Sequence, residues 1–386
     1  MFSENKRTDE RTKQQDETDF EFIDRSPWQA MSSVRELILN CLENIEESER
    51  SELISRIRSR HGFASATFEL MIHEVFRRKG FEIEIHPDLP NGSNKHPDFL
   101  LKDPNGEEFY LEAVLASEQN ENDDSILAIK ERVMDQLRNT THPDFSTAIQ
   151  TSGDPTKSPR GSQFARQVAS WLNSLDYERL RTEFETHGLK AMPVQEWNLD
   201  GWLLKVTAYP ISRESRGKEH GLLGMYDGGD ASWINSWLPL RNAIRTKGAR
   251  YGELDKPLVV AVNFQRGYLD EIDQIQALYG EEIVVYQPGS PHLQPTLERD
   301  NNGAWMGRSG PEGKRVSAAW VFTNLLPYTA SSSKQTLHLN PWANFKTPES
   351  MKEFRYSELH EGRQVTNEGI SVGEVLELPS NWPGDR

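Results

Sequence analysis

The chain has 386 residues, 35% of them hydrophobic, and its 44 Lys and Arg fall short of its 60 Asp and Glu, for a net charge of −16. That balance excludes a wholesale basic coat of the kind that grips phosphate backbones, so any polyanion must be met by local patches. A single cysteine, Cys41, excludes an internal disulfide framework, no apolar run reaches membrane length, and the N-terminal MFSENKRTDERTKQQDE lacks the apolar stretch of a signal peptide. A cytoplasmic protein of about two to three domains is expected.

Residues 1–25 carry few apolar anchors before Phe20 and read as a disordered tail. Residues 26–62 read as a helical appendage. Ser33-Val34-Arg35-Glu36 has capping-box spacing, Val34, Leu37, Ile38, Cys41, Leu42 and Ile45 form one stripe, and a second helix follows over 49–60. The stripe Phe68, Met71, Ile72, Val75, Phe76 predicts a helix ending at Gly80, and FEIEIH (81–86) alternates as a half-buried strand does. HPDFLLK (96–102) and EEFYLEAVLA (107–116) flank the breaker Asp103-Pro104-Asn105-Gly106 and predict a hairpin.

A helix over 124–138 and a strand over 144–150 complete an α/β region of order αβββαβ. With a long helix over 162–186 it is assigned to a domain spanning 63–190. Residues 191–386 read as a C-terminal α/β domain without assigned chemistry. Its strands are expected near 202–209, 257–264, 282–286, 316–323 and 335–339, a helix near 233–250, and HGLLGMYDGGD (220–230) as a flexible loop.

The hairpin register can be computed. With a five-residue loop over 103–107, positions summing to 210 are opposite, so Asp98 faces Glu112 with Cβ atoms about 5 Å apart. Two such carboxylates repel unless a proton or a cation sits between them, and hard oxygen donors at that separation suit Mg²⁺. A two-residue Asn105-Gly106 turn would instead set Asp98 opposite Ala113. A solvated acidic pair is the plain alternative, but Glu112 lies in the apolar run FYLEAVLA, where an unpaired carboxylate is costly to bury. On the helix over 124–138, Lys130 falls at about 40° within the stripe of Ile126, Leu127, Ile129, Val133, Met134 and Leu137. A buried ammonium there needs an anion, the hairpin carboxylates being the nearest candidates, unless its stem snorkels to water. Glu69 borders the stripe of the preceding helix.

Over about 67–150 these residues resemble the PD-(D/E)XK nuclease superfamily, the restriction-endonuclease-like fold. The family's proline and first acid match Pro97-Asp98, its second acid Glu112, and its helix glutamate Glu69 in FELMIHEVFRRKG. Its lysine, two residues after the second acid, is here Val114. Some members recruit that lysine from the following helix. Lys130 is placed to substitute, and Lys247, with Tyr251 one turn later, is the second candidate. The resemblance implies Mg²⁺ or Mn²⁺ held by Asp98, Glu112 and the Ala113 carbonyl, with Lys130 positioning the attacking water and Glu69 supporting the metal. It further implies nucleic acid as substrate, DNA favoured over RNA. A nuclease fold kept without its chemistry, as a scaffold or binding protein, is the rival reading, and a homodimer or a protein partner through the C-terminal domain stays open.

The triplet His-Pro-Asp recurs at 86–88, 96–98 and 142–144, each beside an expected strand, as the extended preference of a residue before proline explains. Basic runs at 212–218, 241–250 and 308–315, with Trp233, Trp237, Trp305 and Trp342 nearby, could track a nucleic-acid backbone and stack bases, or could be ordinary surface with the tryptophans in the core. The histidines and the cysteine show no zinc-ligand spacing.

Overall fold

The computed structural model describes every residue except 5, 15–16, 118–120, 189–190, 214, 218–219, 228–236, 266–268, 286–295, 361–362 and 386. The N-terminal region is helical, with α1 (Asp19–Arg25), α2 (Gln29–Glu43), α3 (Glu47–Arg58) and α4 (Phe63–Arg78). Three strands follow: β1 (Glu82–Ile85), β2 (Phe99–Lys102) and β3 (Glu108–Ser117). The chain then runs through α5 (Glu121–Arg138), β4 (Thr141–His142), β5 (Phe145–Ser152), α6 (Gly161–Leu172), α7 (Tyr177–His187), β6 (Val194–Leu199), β7 (Trp202–Pro210), β8 (His220–Gly221) and β9 (Leu223–Asp227). It continues with α8 (Trp237–Arg250), β10 (Leu258–Gln265), α9 (Glu271–Tyr279), β11 (Glu282–Val285), β12 (Thr296–Arg299), β13 (Met306–Gly307) and β14 (Gly310–Pro311). Last come β15 (Ala318–Thr323), β16 (Lys334–Leu339), β17 (Tyr356–His360), β18 (Arg363–Asn367) and α10 (Val372–Val375).

The fold is mixed α/β and divides into two compact units. The first comprises Met1–Lys13, Thr18–Glu118 and Asn235–Arg386, the second Gln14–Glu17 and Gln119–Ile234. The expected boundaries at 62, 190 and 191 are thus replaced by an insertion: the second unit interrupts the first between β3 and α8.

The first unit is built on an eight-stranded sheet of order β1-β2-β3-β10-β15-β16-β17-β18. β1, β2 and β3 are antiparallel, whereas β3, β10 and β15 run parallel. β10, LVVAVNFQ, is buried almost throughout, as a central parallel strand covered on both faces must be. The period of two along β3 explains the two cores. Phe109, Leu111 and Ala113 join α4 residues Phe68, Met71, Ile72, Val75 and Phe76 on one face, and Tyr110 and Val114 join α8 residues Leu240 and Ile244 on the other.

Several expectations are corrected. The helix over 124–138 and the strand over 144–150 form as α5 and β5, but β5 pairs with β7 and β9 in a separate four-stranded sheet, β6-β7-β5-β9. The neighbour of β3 is β10, preceded by α8. The long helix breaks into α6 and α7 because Asp176 accepts the Arg179 N–H and starts a new helix. Residues 223–227 of the expected loop form β9, parallel to β5. Ser33 lies inside α2 rather than at its cap, its hydroxyl bonded to the Gln29 carbonyl. Residues 1–25, expected as a disordered tail, contain α1, which is capped by a Thr18–Glu21 box. Buried Phe22 and Ile23 anchor it, Met1 and Phe2 pack on the same cluster, and Arg7 pairs with Asp24 at 3.3 Å. Trp237 and Trp305 are core residues and so cannot stack on bases, and Trp233 lies outside the described residues.

Phe76 packs edge-to-face with Phe81, Phe109, Trp320 and Phe354 at centroid distances of 5.0 to 6.4 Å. Phe76→Ala is expected to cost about 3–5 kcal/mol, whereas Leu203→Ser, at a side chain 49% exposed in the second unit, is expected to stay within about 0.5 kcal/mol. Chemical denaturation of the two variants checks both.

Candidate active site around Asp98 and Glu112

The hairpin register rests on local chemistry in its loop. The Asp103 carboxylate accepts the N–H groups of Asn105 (2.8 Å) and Glu107 (2.9 Å), and the backbone closes from Asp103 N–H to the Glu107 carbonyl at 2.9 Å. Gly106 takes the left-handed φ of +90° that this loop requires. The loop therefore spans 103–107, and β2 and β3 pair as Phe99–Leu111 through Lys102–Glu108, the register computed from the sequence. One step beyond the ladder, Asp98 Oδ2 accepts the Ala113 N–H at 2.7 Å, and the Asp98 carbonyl accepts the His86 N–H at 3.0 Å. Glu112 lies on the face of the sheet that α8 covers, whereas Asp98, at the bend before β2, also borders α3 and α4 through the cavity it shares with Arg56 and Glu69.

Glu112 is 1% exposed. Both its oxygens are engaged by α8 and the residue after it: Lys247 donates to Oε1 and the Tyr251 hydroxyl to Oε2, with Arg250 Nη1 3.7 Å from Oε1. Lys247 and Tyr251 are four residues apart, hence on one face of the helical turn. Asn91 fixes the end of this turn, its amide donating to the carbonyls of Tyr251 (2.8 Å) and Glu253 (2.7 Å). Gly248 lets α8 lie close in, since a Cβ there would stand 2.6 Å from Val316 Cγ2.

Charge is concentrated here. Loss of hydration, then the charges of Glu112 and Glu69, push the Asp98 carboxyl up to about 8, opposed by the Ala113 N–H and Lys247. Burial, reinforced by Glu112, pushes the Tyr251 phenol well above its usual range, so it stays a donor.

Glu69, on α4, is held by the Arg56 guanidinium of α3 in a two-pronged pair, with Nη1 to Oε2 at 2.7 Å. Glu69, Arg56 and Asp98 line a small cavity of about 40 Å³ together with His73, Glu52 and Phe99, room for about one to three waters.

Of the residues singled out from the sequence, the structure gathers Glu69, Asp98, Glu112 and Ala113, and it brings Lys247 and Tyr251 to Glu112. Lys130 belongs to the second unit. Its ammonium pairs with Asp154 at 2.7 Å and lies 5.5 Å from the Trp202 ring centroid, so the anion its position demands is Asp154 rather than a hairpin carboxylate. Val114 is partly buried against the core on the α8 side. Arg56 and His73 escaped sequence reading: Arg56 ends a polar helix with no motif, and His73 lies one turn after Glu69 in an apolar stripe.

Among the described residues no group of three or more His, Cys, Asp or Glu side chains converges as a metal cage. Two carboxylates with a raised proton affinity at one of them do fit a hard divalent ion that keeps several waters, because such an ion relieves the same repulsion that a proton does. The chain matches no family model, no curated protein and no solved structure.

The Asp98 shift has a definite sign in stability. Unfolded, this carboxyl titrates near 3.8, and folded near 8. Between those values the folded chain holds the extra proton, so the stability of the metal-free protein falls as pH rises through the window. Thermal unfolding with a chelator from pH 4 to 9 is expected to show that loss. Asp98→Asn should flatten it and should be more stable than wild type at pH 8.

Proposed function

We propose that this chain is a divalent-metal-dependent phosphodiester hydrolase of nucleic acid, DNA rather than RNA, acting in the cytoplasm through a restriction-endonuclease-like core. The observation that carries the reading is Glu112: a buried carboxylate gripped by Lys247, next along β3 to Ala113, whose N–H the Asp98 carboxylate accepts. The order α4-β1-β2-β3-α8-β10, with β3 beside a parallel β10, supports it, since this is the αβββαβ order of the PD-(D/E)XK superfamily once the insertion is set aside. In this reading Lys247 takes the place of the family lysine that Val114 replaces.

Asp98, Glu112 and the Ala113 carbonyl would hold Mg²⁺ or Mn²⁺. Such an ion acidifies water at its surface and offsets charge on the leaving oxygen of the phosphodiester. The protein's own part is positional and electrostatic. The Ala113 N–H fixes the Asp98 carboxylate, Glu112 fixes the Lys247 ammonium in a water-poor site, and that ammonium faces the charge developing on the phosphoryl oxygens. Tyr251 stays protonated and orients Glu112.

A second reading, a nuclease fold without hydrolysis, draws on one specific feature: both Glu112 oxygens are already engaged, by Lys247 and Tyr251. Incubation of plasmid, linear and single-stranded DNA and of RNA with Mg²⁺ or Mn²⁺ separates the two. Hydrolysis is expected, abolished by chelator, reduced about 10³-fold or more by Asp98→Ala or Glu112→Ala, and reduced about 10²- to 10³-fold by Lys247→Ala. Lys130→Ala should leave the rate unchanged. A rate that survives chelation or Asp98→Ala contradicts the proposal, and absence of both cleavage and a metal-induced rise in melting temperature favours the scaffold reading.

A further inference from the structure

An anionic substrate approaching Asp98 meets a wall of like charge. The cavity beside it is lined by Glu49, Glu52, Glu69 and Asp98, and Arg56 is the one Lys or Arg among its lining residues. On the α8 side, Lys247 donates to Glu112, and Arg250 Nη1 stands 3.7 Å from the same carboxylate. A phosphodiester monoanion can lie against such a wall only where a fixed cation faces it.

We propose that Arg56 is the phosphate-binding residue of this site, and that Glu69 acts as its positioning residue, orienting the guanidinium, rather than supporting a metal. The inference rests on the phosphodiesterase reading above and departs from the role that the family resemblance gives Glu69.

Four observations carry it. Glu69 takes two guanidinium nitrogens in a parallel fork, which locks the plane of Arg56. Five N–H donors are available to arginine, so the pair leaves donors over, and the further contact to Ser65 Oγ is a long 3.5 Å. The Arg56 side chain is 32% exposed while Glu69 is only 15% exposed, so the cation lies on the open side of the pair and the carboxylate behind it. Lastly, His73 lines the same cavity, is 6% exposed, and its Nδ1 has no hydrogen-bond partner among the described residues. Burial pushes this imidazole down to about 4, so it is neutral and offers the cavity a polar group without charge. A planar fork that is held from behind suits the two non-bridging oxygens of a phosphodiester.

The test separates binding from hydrolysis by using Ca²⁺ as a hard, poorly catalytic cation and a short labelled single-stranded or duplex DNA as probe, read by fluorescence anisotropy. Arg56→Met is expected to weaken binding about ten- to hundredfold and to lower the salt slope of log K by about one. Arg56→Lys, which keeps the charge but not the fork, should recover only part of that affinity. In the Mg²⁺-dependent cleavage assay both variants should raise KM with a smaller change in kcat. Glu69→Gln should do the same while leaving the concentration of Mn²⁺ needed to raise the melting temperature as in wild type.

Wild-type DNA affinity in Arg56→Met, or no affinity in wild type itself, overturns the inference. So does a Glu69→Gln variant that needs much more Mn²⁺, because that result places Glu69 at the metal. If wild type binds DNA through Arg56 but does not cleave, the clamp stands and the hydrolase reading fails. If it cleaves with Arg56→Met unaffected, the reverse holds.

Discussion

A carboxylate in the middle of a sheet is the constraint on which this structure turns. Glu112 is 1% exposed on the central strand β3, where an isolated charge would cost several kcal/mol. It is tolerated because α8 crosses that face of the sheet and delivers an ammonium and a phenol to its two oxygens. The rest of the local architecture serves that contact: Gly248 permits the close approach, Asn91 ties down the turn after α8, and Tyr110, Leu240 and Ile244 surround it with apolar packing. Removing one partner of such a pair leaves an uncompensated buried charge, whereas a purely structural core would place leucine there at no electrostatic cost.

Asp98 completes the site by a different route. Its position follows from the hairpin loop, whose Asp103 side chain fixes a five-residue connection and hence the parity of every residue along β2. Its carboxyl is left facing Glu112 and Glu69 with one backbone N–H for support, and its proton affinity rises accordingly. The two acids therefore differ in kind: Glu112 has its charge balanced by protein, whereas Asp98 has a deficit that a proton or a metal ion can fill.

How much of this was legible in the sequence follows the range of the interactions. The hairpin register, the α4 stripe and the apolar run of β10 depend on residues close along the chain, and all could be read there. The partner of Glu112 is legible only as a second candidate, because Lys247 lies 135 residues away and a lone lysine carries no periodic signal. In sequence Lys130 is the better placed, because α5 and β5 follow β3 directly and have the right lengths. Nothing local distinguishes an inserted unit from the continuation of a sheet. Lys130 is partly buried, and the anion it meets is Asp154, on a loop rich in turn residues. The N-terminal tail misled for the opposite reason: its few apolar residues, Phe2, Phe20, Phe22 and Ile23, suffice because a hydrophobic cluster built by α2, α3 and α4 receives them.

The claim that Asp98 and Glu112 form one cation site on a lysine-braced sheet is tested most directly by crystals soaked in millimolar Mn²⁺ and measured for anomalous scattering. The account predicts a peak within about 2.0–2.6 Å of carboxylate oxygens from both residues, with Lys247 still on Glu112. Strong peaks elsewhere, with Asp98 bound only by the Ala113 N–H and Glu112 only by Lys247 and Tyr251, would contradict it.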